Sequence, residues 1–168
     1  IIMRHTELFK VLIDILFYTL CLGLLVILFF GPLGLNSIAQ ENNFVQEWDA
    51  ISWLILVISI LGYILLIIGV KYLKNVAGIM TKNIGFSPSV QINLKKPGKS
   101  LIFSSLLNYL TYALVFVKQL ILNVPDEIIF DNNLLLQVFI TIVGLYFIIQ
   151  SDILKMTYNI KTENDLTI

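Results

Sequence analysis

The fold class that the sequence predicts is all-α: an integral membrane four-helix bundle with both termini in the cytoplasm. Three observations predict it. Of 168 residues, 58% are hydrophobic and only 13% charged, and mean hydropathy is +0.89, a balance that a water-soluble domain of this size does not reach. Four apolar runs stand along the chain, each near the roughly 20 residues that a helix needs to cross a bilayer core. The connections between them alternate in charge. The first holds Glu41, Glu47 and Asp49; the second holds Lys71, Lys74, Lys82, Lys95, Lys96 and Lys99; the third holds Asp126, Glu127 and Asp131. Lysine excess stays on the cytoplasmic side, so the termini and the second connection are expected there. Only Lys118 breaks the pattern.

The four spans are placed at about residues 8–30, 50–70, 101–122 and 134–151 of a single membrane domain, with a cytoplasmic connection over 71–100. Unpaired amides in hydrocarbon cost several kcal/mol each, and a helix satisfies its own. The first run follows Arg4 and Lys10, as in a signal peptide. However, it exceeds the apolar core usual in such peptides, and Gly31-Pro32-Leu33-Gly34 after it is no small-x-small cleavage site, so a retained helix is expected. In the second, Trp48 and Trp53 at one end and Tyr72 at the other suit the aromatic belts of the two interfaces. The second helix is expected to continue past the bilayer to about Lys82, since only Gly78 could interrupt it. Ser87-Pro88 reads as an N-cap and first helical position opening a short segment to about Leu94. Val90, Ile92 and Leu94 also alternate as a strand would. Pro97-Gly98 is expected to end this segment before the third span. Between the third and fourth spans, Ile128, Ile129 and Phe130 among acids could lie flat in the interface.

Composition also excludes function classes. Net charge is zero, so no direct nucleic-acid binding is expected. One cysteine, Cys21, and one histidine, His5, cannot make a disulfide framework or a metal cluster. No nucleophile and base pair, intramembrane carboxylate pair or glycine-rich phosphate loop stands in the chain. A non-enzyme without a cofactor is expected.

Polar side chains in lipid are costly and turn into the bundle. At 100° per residue, Ser104, Asn108, Thr111 and Lys118 share a stripe on the third helix with Val115. Gln137, Thr141, Gly144 and Ser151 do so on the fourth, Asp14, Tyr18 and Cys21 on the first, and Ser52, Ser59 and Tyr63 on the second. Packing is the commoner reason for such stripes; the alternative is a cavity lining. They can face one another within one copy or across a homo-oligomer. Asp14, two turns inside the first span, is expected to pair with Lys10 one turn earlier, with Asn108 at similar depth. The other reading of Asp14 is a proton- or cation-responsive site. Lys118 is expected to lie level with Gln137 and to snorkel toward Asp126 or Glu127.

Gly85-Phe86-Ser87, Val90, Leu94-Lys95-Lys96 and Gly98, with the closing Glu163-Asn164-Asp165-Leu166-Thr167-Ile168, resemble the small bacterial four-span membrane proteins of the domain of unknown function 2975 family. Pro97 departs from the family pattern. The resemblance implies four spans over nearly the whole chain and no known activity. It also implies, from the occurrence of some members beside a small helix-turn-helix regulator, a regulatory role with such a cytoplasmic protein as partner.

The residues themselves lead to three expectations. The first is a sensing or tethering protein that meets the lipid bilayer through its spans and a cytoplasmic partner through Lys95, Lys96 and Lys99 and the tail with Glu163 and Asp165. The second is a small transporter, channel or lipid-binding subunit using the polar stripes. The third, immunity against a membrane-active toxin, rests only on size and topology.

Overall fold

The computed structural model describes residues 2–41, 50–82, 88–122 and 132–165, all of them helical. Within these segments the side chains at 2–4, 30–41, 52, 82, 88, 89, 91, 92, 118, 119, 121, 122, 132, 133, 164 and 165 are not described. The helices are α1 (Ile2–Glu41), α2 (Ala50–Lys82), α3 (Pro88–Leu122) and α4 (Asn132–Asp165). The Ser87 cap and the outer segment 124–131 lie outside the described residues.

Each helix runs antiparallel to the next. Tyr63 on α2 reaches Leu20 on α1, while Lys74 reaches Asp14. On α3, Ser100 and Ser104 bond to Leu65 and Gly62 of α2. Thr141 and Asp152 of α4 meet Ser105 and Lys95 of α3. The helices therefore form a series in chain order, α1 on α2, α2 on α3 and α3 on α4. Among the described residues no other pair of backbones comes into contact, so α1 joins the rest through α2 alone. Side chains close one end further: Val76 of α2, Val90 and Leu94 of α3 and Phe147 and Leu154 of α4 form one apolar cluster. A second cluster, Ile13 with Val70 and Ala77, supported by Phe17, Leu20 and Leu73, joins α1 to α2.

Beyond the two apolar clusters, burial differs from that in a water-soluble protein. Ser100, Ser104, Ser105 and Ser151 are buried, as are Gly62, Gly69, Gly98 and Gly144, whereas Leu22, Phe29, Leu106, Leu135 and Phe139 are exposed. In water such a surface is an aggregation liability. In lipid it is the expected one, because helix association there depends on close backbone approach and interhelical hydrogen bonds rather than on apolar burial.

Three expectations from the sequence need correction. Pro97-Gly98 does not end a segment, since α3 is one helix of 35 residues with Pro97 inside it. Proline deletes one amide and crowds the preceding turn. Here its ring is fully buried and Gly98 lies against α4, so packing outweighs the lost bond. Val90 and Leu94, read also as alternate strand positions, share a helical face four residues apart and enter the same cluster. The outer two helices overrun their predicted ends. The α1 helix continues through Gly31-Pro32 to Glu41, and α4 continues beyond Ser151 to Asp165. By contrast, the continuation of α2 to Lys82 and the start of α3 at Pro88 agree with the sequence reading.

Candidate functional site

The polar side chains form four groups, each at a seam between helices. Where α1 meets α2, Lys74 Nζ lies 3.2 Å from Asp14 Oδ1, with both side chains about a third exposed. The ammonium also lies 3.5 Å from Tyr18 Oη, and 5.2 Å and 4.7 Å from the ring centroids of Phe17 and Tyr18. Two aromatic faces and a carboxylate thus surround one cation. This corrects the expected Lys10–Asp14 pair. Lys10 is exposed, and the carboxylate turns across the seam to α2 because the cation there is held against rings. Further along the seam, Tyr63 donates to the Leu20 carbonyl at 3.1 Å.

Between α2 and α3, Ser104 Oγ donates to the Gly62 carbonyl (2.7 Å) and Ser100 Oγ to that of Leu65 (2.8 Å). A Cβ on Gly62 would stand 3.1 Å from Asn108 Nδ2, and Asn108 donates to the Ser104 carbonyl. Asn108 is therefore at the level of Gly62 and Tyr63, several turns from the Asp14–Lys74 pair, and not at the depth of Asp14. Ser59 and Thr111 meet at 3.5 Å. Replacing Ser104 by Ala removes one buried bond to a backbone carbonyl. We expect a loss of about 1 kcal/mol in micellar unfolding with helix content unchanged.

Between α3 and α4, Thr141 donates to Ser105 Oγ at 2.9 Å and Tyr109 Oη lies 3.5 Å from Thr141. One turn away, Gln137 Oε1 is buried with no hydrogen-bond partner among the described residues. Lys118 lies on α3 with its side chain outside the described residues, so its pairing with Gln137 or the outer acids is not addressed. At the other end of this seam, Lys95 Nζ bonds to Asp152 Oδ1 at 3.0 Å. Lys96 Nζ instead lies over the Tyr72 ring, 5.9 Å from its centroid, and Lys99 is exposed. The three lysines expected to act together therefore divide, one to α4 and two elsewhere. Glu163 lies on the helical continuation of α4, and so does Asp165, whose side chain is not described.

The sequence reading gave Lys74 and Gly98 other roles and did not single out Ser105 or Tyr109. It assigned α3 one inward stripe, but a helix packed on both sides needs two. The second runs Gly98, Ile102, Ser105, Tyr109 at spacings of three and four, the pattern that would have disclosed it.

Four helices long and apolar enough to cross a membrane, with polar contacts inside and leucine, isoleucine and phenylalanine outside, point to a multi-pass helical membrane protein. The chain belongs to the family of proteins of unknown function DUF2975, whose sequence model matches residues 36–168. The match covers the last turns of α1 and all of α2, α3 and α4. No curated protein and no solved structure matches the chain.

Proposed function

We propose that the chain is a non-catalytic protein of the bacterial inner membrane that tethers or senses a cytoplasmic protein partner, with both termini and the 71–100 connection in the cytoplasm. Lysine placement supports the orientation. Lys71, Lys74, Lys95, Lys96, Lys99, Lys155 and Lys161 stand at the end where α2 finishes, α3 begins and α4 finishes. The observation that carries the tethering role is the overrun of α4. Its 34 residues reach about 50 Å at 1.5 Å each, against a hydrocarbon core of about 30 Å. Ile153, Met156 and Ile160 lie exposed on one face of the overrun at spacings of three and four. At 100° per residue, of the charged residues Asp152 and Glu163 lie nearest this stripe, with Lys155 and Lys161 farther round the helix. An exposed apolar stripe on a helix is what an apolar groove in a partner protein takes up. The helix-turn-helix regulator implied by the family resemblance is the partner to test first.

A photo-crosslinking side chain at Thr157, compared with one at Leu136 near the opposite end of α4, tests this. We expect one discrete protein adduct from Thr157 only, abolished by I153S/M156S/I160S while the chain still fractionates with membranes. Adducts that survive the triple change, or that form equally at Leu136, overturn the reading. The transporter, channel or lipid-binding reading has one observation in its favour, the unpaired Gln137 Oε1. It expects Gln137→Leu to change flux in vesicles without loss of fold.

A further inference from the structure

Two ion pairs neutralise the lysines on the flanks of the α2–α3 pair, Lys74 toward α1 and Lys95 toward α4. Lys96 and Lys99 face neither neighbour, and among the described residues neither has a carboxylate within 4 Å. The placement of Lys96 over Tyr72 sets it on the outer side of α2 and α3, and Lys99, one turn on, is its helical neighbour. This is the level at which the apolar spans begin. Gly69 of α2 lies against Ser100 and Leu101 of α3, directly beyond Lys99.

On α3 the residues that follow Lys96 and Lys99 at spacings of four, three and four are Phe103, Leu106 and Leu110, which are 58%, 58% and 47% exposed. One helical face therefore carries two cations at its cytoplasmic end and an unbroken apolar strip below them. An inner-leaflet anionic phospholipid has the same order of chemistry along its length. Unpaired lysines at an interface attract anionic headgroups, and the Lys96 ammonium lies over the Tyr72 ring, 5.9 Å from its centroid.

We propose that this face binds an anionic phospholipid specifically, with its phosphate between the Lys96 and Lys99 ammonium groups and an acyl chain along Phe103, Leu106 and Leu110. The site rests on insertion of the chain in a bilayer, but not on the existence of a protein partner.

The test uses the full chain in nanodiscs of phosphatidylcholine titrated with phosphatidylglycerol, with bound lipid counted by native mass spectrometry. We expect phosphatidylglycerol to be retained over phosphatidylcholine. K96Q/K99Q should weaken that retention about tenfold or more, and K155Q/K161Q, the same charge change on α4, should leave it unaltered. Equal loss in both pairs means that only the net charge of this end matters and overturns the proposal, as does no loss in K96Q/K99Q. Displacement of the lipid by inorganic phosphate at millimolar concentration also overturns it, since the site would then hold a free anion. F103S/L106S should weaken retention without changing charge. Membrane fractionation of each variant reports insertion separately, so failure of the lipid site is distinguishable from failure of the membrane reading.

Discussion

Gly98→Leu is expected to separate α3 from α4, the largest single effect in this protein. A Cβ alone on Gly98 would stand 2.7 Å from the Gly144 carbonyl oxygen and 2.8 Å from Ile148 Cγ1, and the former is backbone that cannot rotate away. The reciprocal contact is as close, with a Cβ on Gly144 meeting Ile102 at 2.8 Å and the Gly98 carbonyl at 3.0 Å. Overpacking of a seam this tight costs about 3 kcal/mol or more. The Thr141–Ser105 and Lys95–Asp152 bonds lie along the same seam and are lost with it. Unfolding in mixed micelles, followed by circular dichroism and tyrosine emission, measures the change. Gly78 is the control, because nothing lies within 4 Å of a Cβ built there. Gly78→Ala is expected to be neutral or to stabilise by up to about 1 kcal/mol through helix propensity. If Gly98→Leu behaved like Gly78→Ala, the α3–α4 contact would not be the one described.

Lys74→Glu ranks second. It places a second carboxylate beside Asp14 and empties the site over the Phe17 and Tyr18 rings. With both side chains about a third exposed, the pair is nearer to a solvent-screened surface pair than to a buried one. A larger loss of stability than from Lys74→Gln is expected for the reversal, and the effect should centre on α1, which has no backbone contact beyond α2 among the described residues. The swapped double variant D14K/K74E should recover about half of it, the coupling in a double-mutant cycle separating the pair from the rings. Lys10→Gln is expected to do little. A loss from Lys10→Gln matching that from Lys74→Gln would return the pairing to α1 itself.

These two predictions rest on different kinds of legibility. Gly144 stood in the sequence as part of a polar and small-residue stripe on the fourth span, and the structure places it at a seam with Thr141 and Ser151, both with interhelical or buried positions. Lys74 was legible only as one of six cations in a basic connection. A stripe depends on angular spacing within one helix, which the chain order states. A pair between helices depends on their axial register, which spacing does not state.

The same division holds for the molecule as a whole. Hydropathy and helical period determined that the described chain is four apolar helices and which face of α4 and which one of the two inward faces of α3 bear hydroxyls, while capping and breaker residues put the end of α2 at Lys82 and a helix start at Pro88. Those are local properties, set by residues within a few turns of one another. Tertiary structure decided that Pro97 is packed inside a helix rather than ending one, that Asp14 chooses Lys74, that Lys95 parts from Lys96 and Lys99, and that among the described residues the α1 backbone meets only α2. Each of these is a choice between partners of equal local merit. The choice is made by contacts between helices, with close backbone approach at Gly62 for the α2–α3 seam and at Gly98 and Gly144 for the α3–α4 seam.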